Sequence, residues 1–298
     1  MEPNLVSVGM PVYNRPESLR RALDCIINQT YKNLEIIVSN DCSPSKKVYT
    51  ILNYYAKKDP RIKLFVQCKN IGCCANIQFT LRQATGKYFM YAQEDDTWDT
   101  DYIGRMVSQL EKNPDQVVAI SAVRRVDEDG NLFDITRFTT DTGVVPAHTI
   151  HTTTLVLNAM KDERLSFLFM GLFRRDILIQ FDNTYSTTGI DGKDDVIMAE
   201  MLLIHPYGYV DQPMYTKGLE HDKIKKIFKH DNLCFIKLYA RLIKVLILSK
   251  RIPIKNKVII PAAIITNLLW MLRANAAQIV FMLPKDHWLR KMIRKMGI

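Results

Sequence analysis

The chain has 298 residues, 47% of them hydrophobic, and a formal net charge of +10. That length suits one large α/β domain with or without an appendage, and the apolar content excludes a disordered or fibrous chain. The charge is lopsided: residues 1–220 hold 24 Lys+Arg against 28 Asp+Glu, whereas residues 221–298 hold 17 against 3, so the basicity lies in the tail.

Glu2, Pro3 and Asn4 lead straight into Leu5-Val6-Ser7-Val8 with no apolar leader. No signal peptide is expected, and the protein is expected in the cytosol. The six cysteines, Cys25, Cys42, Cys68, Cys73, Cys74 and Cys234, show no Cys-x-x-Cys spacing and no accompanying His pair, which argues against a zinc site or a disulfide framework.

Leu5-Val6-Ser7-Val8-Gly9-Met10 reads as a buried strand ending at Pro11-Val12-Tyr13-Asn14. Leu19, Ala22, Leu23, Ile26 and Ile27 then share one face at helical spacing. Leu34-Glu35-Ile36-Ile37-Val38 is a second strand, with Asn40-Asp41-Cys42-Ser43-Pro44 as its polar exit. Val48, Ile51, Leu52 and Tyr55 mark a second helix, Ile62-Lys63-Leu64-Phe65-Val66 a third strand, and residues 79–84 the end of a third helix. Thr85-Gly86-Lys87 turns the chain into Tyr88-Phe89-Met90-Tyr91. The β-α-β-α-β-α-β alternation predicts a mostly parallel sheet with helices on its faces.

That fourth strand runs into Gln93-Glu94-Asp95-Asp96-Thr97-Trp98. Three consecutive carboxylates repel one another unless solvent, a cation or basic groups neutralise them. Hard divalent ions take oxygen ligands, usually with one or two protein carboxylates, and leave other positions to water and substrate phosphates. The cluster therefore reads either as a cation site for a phosphate-bearing substrate or as a solvated acidic turn. Ligands of open α/β sheets bind at the carboxyl ends of the strands. Asn14, Asp41 and the acidic cluster all follow strands directly, so parallel strands bring them to one edge.

Several of these segments resemble the inverting, nucleotide-sugar-dependent glycosyltransferases of family 2, which have the GT-A fold. Pro11-Val12-Tyr13-Asn14 is similar to that family's Pro-x-Tyr-Asn turn, and Asn40-Asp41-Cys42-Ser43 to its Asp-Asp-Gly-Ser loop. Asn70-Ile71-Gly72, Asn76, Leu81 and Ala84-Thr85-Gly86-Lys87-Tyr88 match in spacing, and the acidic cluster stands at the family's Asp-x-Asp motif. The likeness covers roughly residues 5–220. It implies nucleotide-binding roles for Pro11, Tyr13, Asn14, Asp41, Asn76 and Glu94, with Asp41 reading the base. It also implies a Mn²⁺ or Mg²⁺ cofactor on Asp95, with Asp96 beside it. Gln93 stands where the family often has its first acid, and Cys42 where it has Gly.

Further on, residues 101–110 read as a helix, Val117-Val118-Ala119-Ile120-Ser121 as a strand and residues 127–131 as a hairpin tip, with a polar, Thr-rich loop over 136–154. Met170-Gly171-Leu172-Phe173-Arg174-Arg175 resembles the family's acceptor-side segment, which would put Arg174, with Trp98, on the acceptor side; a helix start with solvated arginines is the alternative. Asp194 and Asp195 open an apolar-periodic helix. Acids favour a first helical turn in any case, and the family resemblance implies that Asp195 is the general base, with Asp194 beside it on the acceptor side.

From residue 221 the tail alternates apolar and basic residues at helical spacing, and Trp288-Leu289-Arg290-Lys291-Met292-Ile293-Arg294-Lys295-Met296 repeats the pattern. The apolar run 258–272 contains Pro261 and Asn267 and is shorter than the ~20 residues needed to span a bilayer. We expect a helical basic appendage over 221–298, beside a catalytic domain over 1–220. It would bind an anionic membrane surface, pack on that domain or form a homo-oligomer.

Together these readings predict transfer of one sugar from a nucleoside-diphosphate sugar to an acceptor hydroxyl with inversion. A lipid-linked saccharide is the expected acceptor, in surface-polysaccharide assembly at the inner face of the cell membrane. A nucleotidyltransferase acting on sugar phosphates is the alternative enzyme class. Nucleic-acid binding through the tail is the alternative without catalysis, and the acidic balance of 1–220 and the tail's apolar stripes count against it.

Overall fold

The computed structural model describes residues 3–127, 129–138, 144–145, 164–182, 193–218, 248–250, 252 and 257, with 144–145, 193–196 and 218 described by backbone alone. The expected loop over 136–154 and nearly all of the tail lie outside them.

The first half follows the expected alternation. Strands β1 (Val6–Val12), β2 (Leu34–Asn40), β3 (Ile62–Val66) and β4 (Tyr88–Tyr91) alternate with helices α1 (Pro16–Ile27), α2 (Lys46–Lys58) and α3 (Cys73–Gln83). β3, β2, β1 and β4 lie side by side and all are parallel. β1 and β2 are buried along almost their whole length, as expected of central strands in a parallel sheet. The apolar faces of α1 and α2 predicted from spacing are the faces they bury.

Close approach is bought with glycine at two places. A Cβ on Gly9 would sit 2.5 Å from Thr80 Oγ1 of α3 and 2.6 Å from Phe89 Cζ, so α3 lies directly on β1. One on Gly86 would meet the Leu5 carbonyl oxygen and Ser7 Oγ at 2.7 Å. The Thr85-Gly86 turn is fastened there by Glu35, whose Oε1 accepts from the Thr85 amide at 2.6 Å and from Ser7 Oγ at 2.5 Å. Burial opposes ionisation of Glu35, yet these bonds and Lys63 at 2.6 Å hold its carboxyl down at about 2.

Beyond β4 the sheet becomes mixed. β5 (Thr97–Trp98), α4 (Tyr102–Lys112), β6 (Val118–Val126), β7 (Leu132–Thr136) and β8 (Val144–Val145) are followed by α5 (Arg164–Leu168), β9 (Leu172–Arg174), α6 (Arg175–Leu178) with a 3-10 turn (Ile179–Phe181), α7 (Lys193–Leu202) and β10 (Tyr207–Gly218). The order across the sheet is β3-β2-β1-β4-β9-β6-β10-β5, with β7 on β6 and β8 on β10. Short β9 is antiparallel to both β4 and β6, and β10 returns parallel to β6. Among the described residues, no helix is long and apolar enough to cross a membrane.

Past the compositional step at residue 220, Ile252 is 3% exposed and belongs to the same apolar core. Ser249 hydrogen-bonds the buried Glu200 of α7. Two of the described tail residues, Ser249 and Ile252, therefore pack against the part of the chain that precedes the step.

Candidate active site

At the carboxyl edge of β1, β2 and β4 lies a cleft of about 410 Å³ whose walls include Pro11, Tyr13, Asp41, Asn76, Glu94 and Asp95. Six positions predicted from separate parts of the sequence thus meet at one edge, because the parallel register of β2, β1 and β4 aligns their exits. Arg15, Asn70, Cys73, Ile77 and Gln93 complete much of the wall.

Two left-handed residues shape this edge: Asn14 with φ 59° and Cys42 with φ 54°. Asn tolerates that region, and Cys42 occupies a position where glycine carries no steric penalty. The two turns are linked, since the Asn14 amide donates to Ser43 Oγ at 3.0 Å and Ser43 Oγ donates to Asn40 Oδ1 at 2.6 Å. The Asn14 side chain is exposed at the tip.

Asp41 is 2% exposed. Its Oδ1 accepts from the Ile71 amide at 2.7 Å and its Oδ2 from the Gly72 amide at 3.0 Å, so it fixes the loop that opens α3. Asn76 donates to the Ser39 carbonyl at 2.9 Å and accepts from Ser39 Oγ at 2.6 Å, which ties α3 to β2. Both side chains hold the cleft's wall in place as well as facing it. Tyr13, also on the wall, is 46% exposed.

Gln93 to Asp96 form the tight turn after β4, with the Asp96 amide donating to the Gln93 carbonyl at 3.3 Å. Both Glu94 oxygens accept from the Tyr13 amide, at 3.2 and 3.3 Å, joining this turn to the β1 exit. Burial pushes the Glu94 carboxyl up to about 7, although the Tyr13 amide and Arg15 pull the other way. Asp95 Oδ2 lies 2.5 Å from Arg15 Nη1, and its Oδ1 lies 3.9 Å from Lys217 Nζ.

Three expected roles meet a different geometry. Asp96, expected beside Asp95 at the metal, is fully buried; its Oδ2 accepts from Tyr215 hydroxyl at 2.6 Å, and its Oδ1 lies 3.0 Å from Lys217 Nζ. Burial raises the Asp96 carboxyl, with Lys217 opposing. Trp98, expected on the acceptor side, is 4% exposed and stacks on Tyr215 with ring centroids 5.8 Å apart. Arg174 donates to the carbonyls of Gln116 at 2.8 Å and Leu110 at 2.6 Å. It pairs in register with Tyr88, the first residue of β4, because β9 runs antiparallel to β4 and carries Arg174 to the edge opposite the cleft.

Asp194 and Asp195 fall in the first turn of α7, as predicted; the described side chains of this helix begin at Ile197, so the two carboxylates lie outside them. Sequence reading overlooked Arg15, Tyr215 and Lys217. The last two alternate along β10 as Tyr-x-Lys, a pattern that puts both on one face of a strand.

The donor set suits a hard divalent cation. Asp95, with Glu94 beside it, offers carboxylate oxygens at the cleft, and such ions need only one or two from protein. Among the described residues no group of three or more acidic, His or Cys side chains forms a complete cage, so a cation held there would take its remaining ligands from water or substrate.

Residues 7–181 match the family model for Glycosyl transferase family 2. The chain belongs to that family. Among curated relatives of this family 2 glycosyltransferase, the Escherichia coli (strain K12) "Uncharacterized glycosyltransferase YibD" is 28% identical over 77% of this chain and 65% of its own length. A Methanocaldococcus jannaschii glycosyltransferase is 33% identical over 44% of this chain and 46% of its own. The match thus covers less than two thirds of either relative. Solved structures share the fold at low identity. Staphylococcus aureus TarS 1-349 in complex with UDP-GlcNAc aligns over 83% of this chain and 68% of its own, at 15% identity and a TM-score of 0.61. The Pyrobaculum calidifontis mannosyltransferase PcManGT, in complex with GDP-Man and Mn²⁺, aligns over 100% of this chain and 80% of its own, at 16% identity and a TM-score of 0.63. The fold is accordingly of the GT-A type.

Proposed function

We propose that this glycosyltransferase moves a single sugar from a nucleoside-diphosphate sugar to an acceptor hydroxyl with inversion, using a divalent cation. The observation that carries the reading is the convergence of Tyr13, Asp41, Asn76, Glu94 and Asp95 on one cleft at the carboxyl edge of the sheet. Similarity to TarS and PcManGT, whose structures hold UDP-GlcNAc and GDP-Man, supports a nucleotide-sugar donor.

In this reading Tyr13 and the wall formed by Asp41 and Asn76 receive the nucleoside, and the turn of residues 93–96 faces the diphosphate. Asp95, with Glu94, would hold the cation, which when bound offsets charge developing on the departing diphosphate. Asp195 takes the proton from the acceptor hydroxyl as that oxygen attacks the anomeric carbon from the face opposite the nucleoside diphosphate. The acceptor bond forms as the bond from sugar to diphosphate breaks, which inverts the anomeric centre.

A lipid-linked saccharide in surface-polysaccharide assembly is the proposed acceptor, brought within reach by the basic, amphipathic tail at an anionic membrane surface. A screen of UDP-, GDP- and dTDP-sugars for hydrolysis with Mn²⁺ or Mg²⁺ tests the donor assignment. Release of a nucleoside diphosphate from one of them is the expected result. Turnover of nucleoside triphosphates with pyrophosphate release instead would overturn it.

A further inference from the structure

Asp95 lies between two cations that are held very differently. Lys217 approaches from below: its side chain is 17% exposed, and its Nζ lies 3.0 Å from Asp96 Oδ1, 3.3 Å from Gln93 Oε1 and 3.9 Å from Asp95 Oδ1. Half-buried on β10 against the turn, it cannot leave without stranding the wholly buried Asp96 carboxylate. Arg15 approaches from the cleft. Its side chain is 38% exposed, its Nη1 is 2.5 Å from Asp95 Oδ2 and its Nε is 3.9 Å from Glu94 Oε1. It stands at the N-cap of α1 directly after the left-handed Asn14, on a turn that lines the cleft.

We propose that Arg15 is an exchangeable counter-ion for the acidic turn: its guanidinium and a divalent cation compete for Asp95, and once displaced it binds the donor's diphosphate in the same cleft. Arg15 is thus assigned as a positioning residue for charge, separate from the base. Two arguments support the exchange. Lys217 already offsets Asp96, so the carboxylate that matters for a cation is Asp95, and its near oxygen is the one Arg15 covers. A guanidinium released from a carboxylate can satisfy its donors bidentately on a phosphate, because its planar fork of N–H groups matches the spacing of two phosphate oxygens. Swapping Arg15 for a cation at Asp95 and moving Arg15 onto a doubly charged diphosphate keeps the turn's charge compensated at each stage. The chemical consequence is that cation and diphosphate bind better together than apart.

This inference rests on the donor reading only for its second half, and the experiment separates the two. Free Mn²⁺ is followed by electron paramagnetic resonance during titration of the full chain, first with Mn²⁺ alone. Arg15→Gln should tighten Mn²⁺ binding roughly fivefold or more, as expected for loss of a competing ion pair, whereas Arg15→Lys, which keeps the charge, should stay near the parent. Arg15→Gln combined with Asp95→Asn should abolish the gain. Because Arg15 is more than a third exposed, these variants should fold, and thermal melts will verify it. In a second arm UDP, GDP and dTDP are added with Mn²⁺, and Arg15→Gln should weaken whichever nucleotide the parent binds. Unchanged Mn²⁺ affinity in Arg15→Gln overturns the exchange. If none of the three binds the parent while the Mn²⁺ arm behaves as stated, the donor reading fails and the competition at Asp95 stands. Tighter nucleotide binding in Arg15→Gln would overturn the diphosphate half.

Discussion

Glu94 is the residue where burial and chemistry oppose each other most openly. Its carboxyl is raised to about 7 from an ordinary value of 4.5, chiefly by burial. A carboxyl with a raised folded-state value favours the folded state when protonated, so its stabilising share is complete below about pH 4.5 and is lost as pH climbs through 7. Glu94→Gln should therefore match the parent near pH 4.5 and exceed it above pH 7, by roughly 1–3 kcal/mol. Urea unfolding at a series of pH values checks this, and a constant difference across the range would refute it. Asp195 belongs to the same scale, as the proposed base. Its replacement by Asn should lower transfer by about 10²–10⁴-fold while leaving donor binding intact. Transfer at the parent's rate would remove it from the role.

At the scale of elements, the packing of α3 on β1 decides whether the cleft has a back wall. Gly9→Ala would place a methyl 2.5 Å from Thr80 Oγ1, forcing helix and strand apart. A cost of about 1–3 kcal/mol is expected, with nucleotide affinity falling too because Asn76 and the loop fixed by Asp41 ride on the same helix. Denaturation midpoint and nucleotide titration measured together test the coupling. The β1–β4 half was readable because each strand is short, apolar and followed at once by a polar turn, and each helix shows its buried face at 3.6-residue spacing. β9 and β10 were not. β9 has three residues, too few for any period, and β10 carries Gly208, Asp211, Pro213 and Lys217, which break the apolar alternation. The family resemblance put Arg174 near the acceptor, but which edge a strand's side chain reaches depends on direction, and only long-range pairing makes β9 antiparallel. Lys217 was passed over for a related reason: a lysine is seldom buried, and nothing local announces that Asp96 waits for it.

Over the whole molecule, composition and packing draw different lines. The charge changes at residue 220, yet Ile252 lies in the common core and Ser249 meets Glu200 on α7, the helix whose first turn holds Asp194 and Asp195. Ending the chain after residue 220 should therefore destabilise the catalytic domain, by about 2–4 kcal/mol from the loss of Ile252 alone. A thermal melt unchanged by the truncation would show that this contact is dispensable. Membrane binding by the tail is tested separately. The full chain should float with anionic liposomes and stay down with neutral ones at 0.15 M salt, where charges are screened beyond about 8 Å.

The pairing of Asp96 with Lys217 also imposes an order on assembly. These residues are 121 positions apart, as are two ends of a clasp stitched from opposite halves of the chain. At about 5–20 residues per second of synthesis, roughly 6 to 24 s separate the emergence of one from the other. In that interval the parallel strands β1 to β4 have all they need to pair, but the turn that follows them has a carboxylate it cannot bury. The cleft therefore takes its final form last, after β10 has arrived.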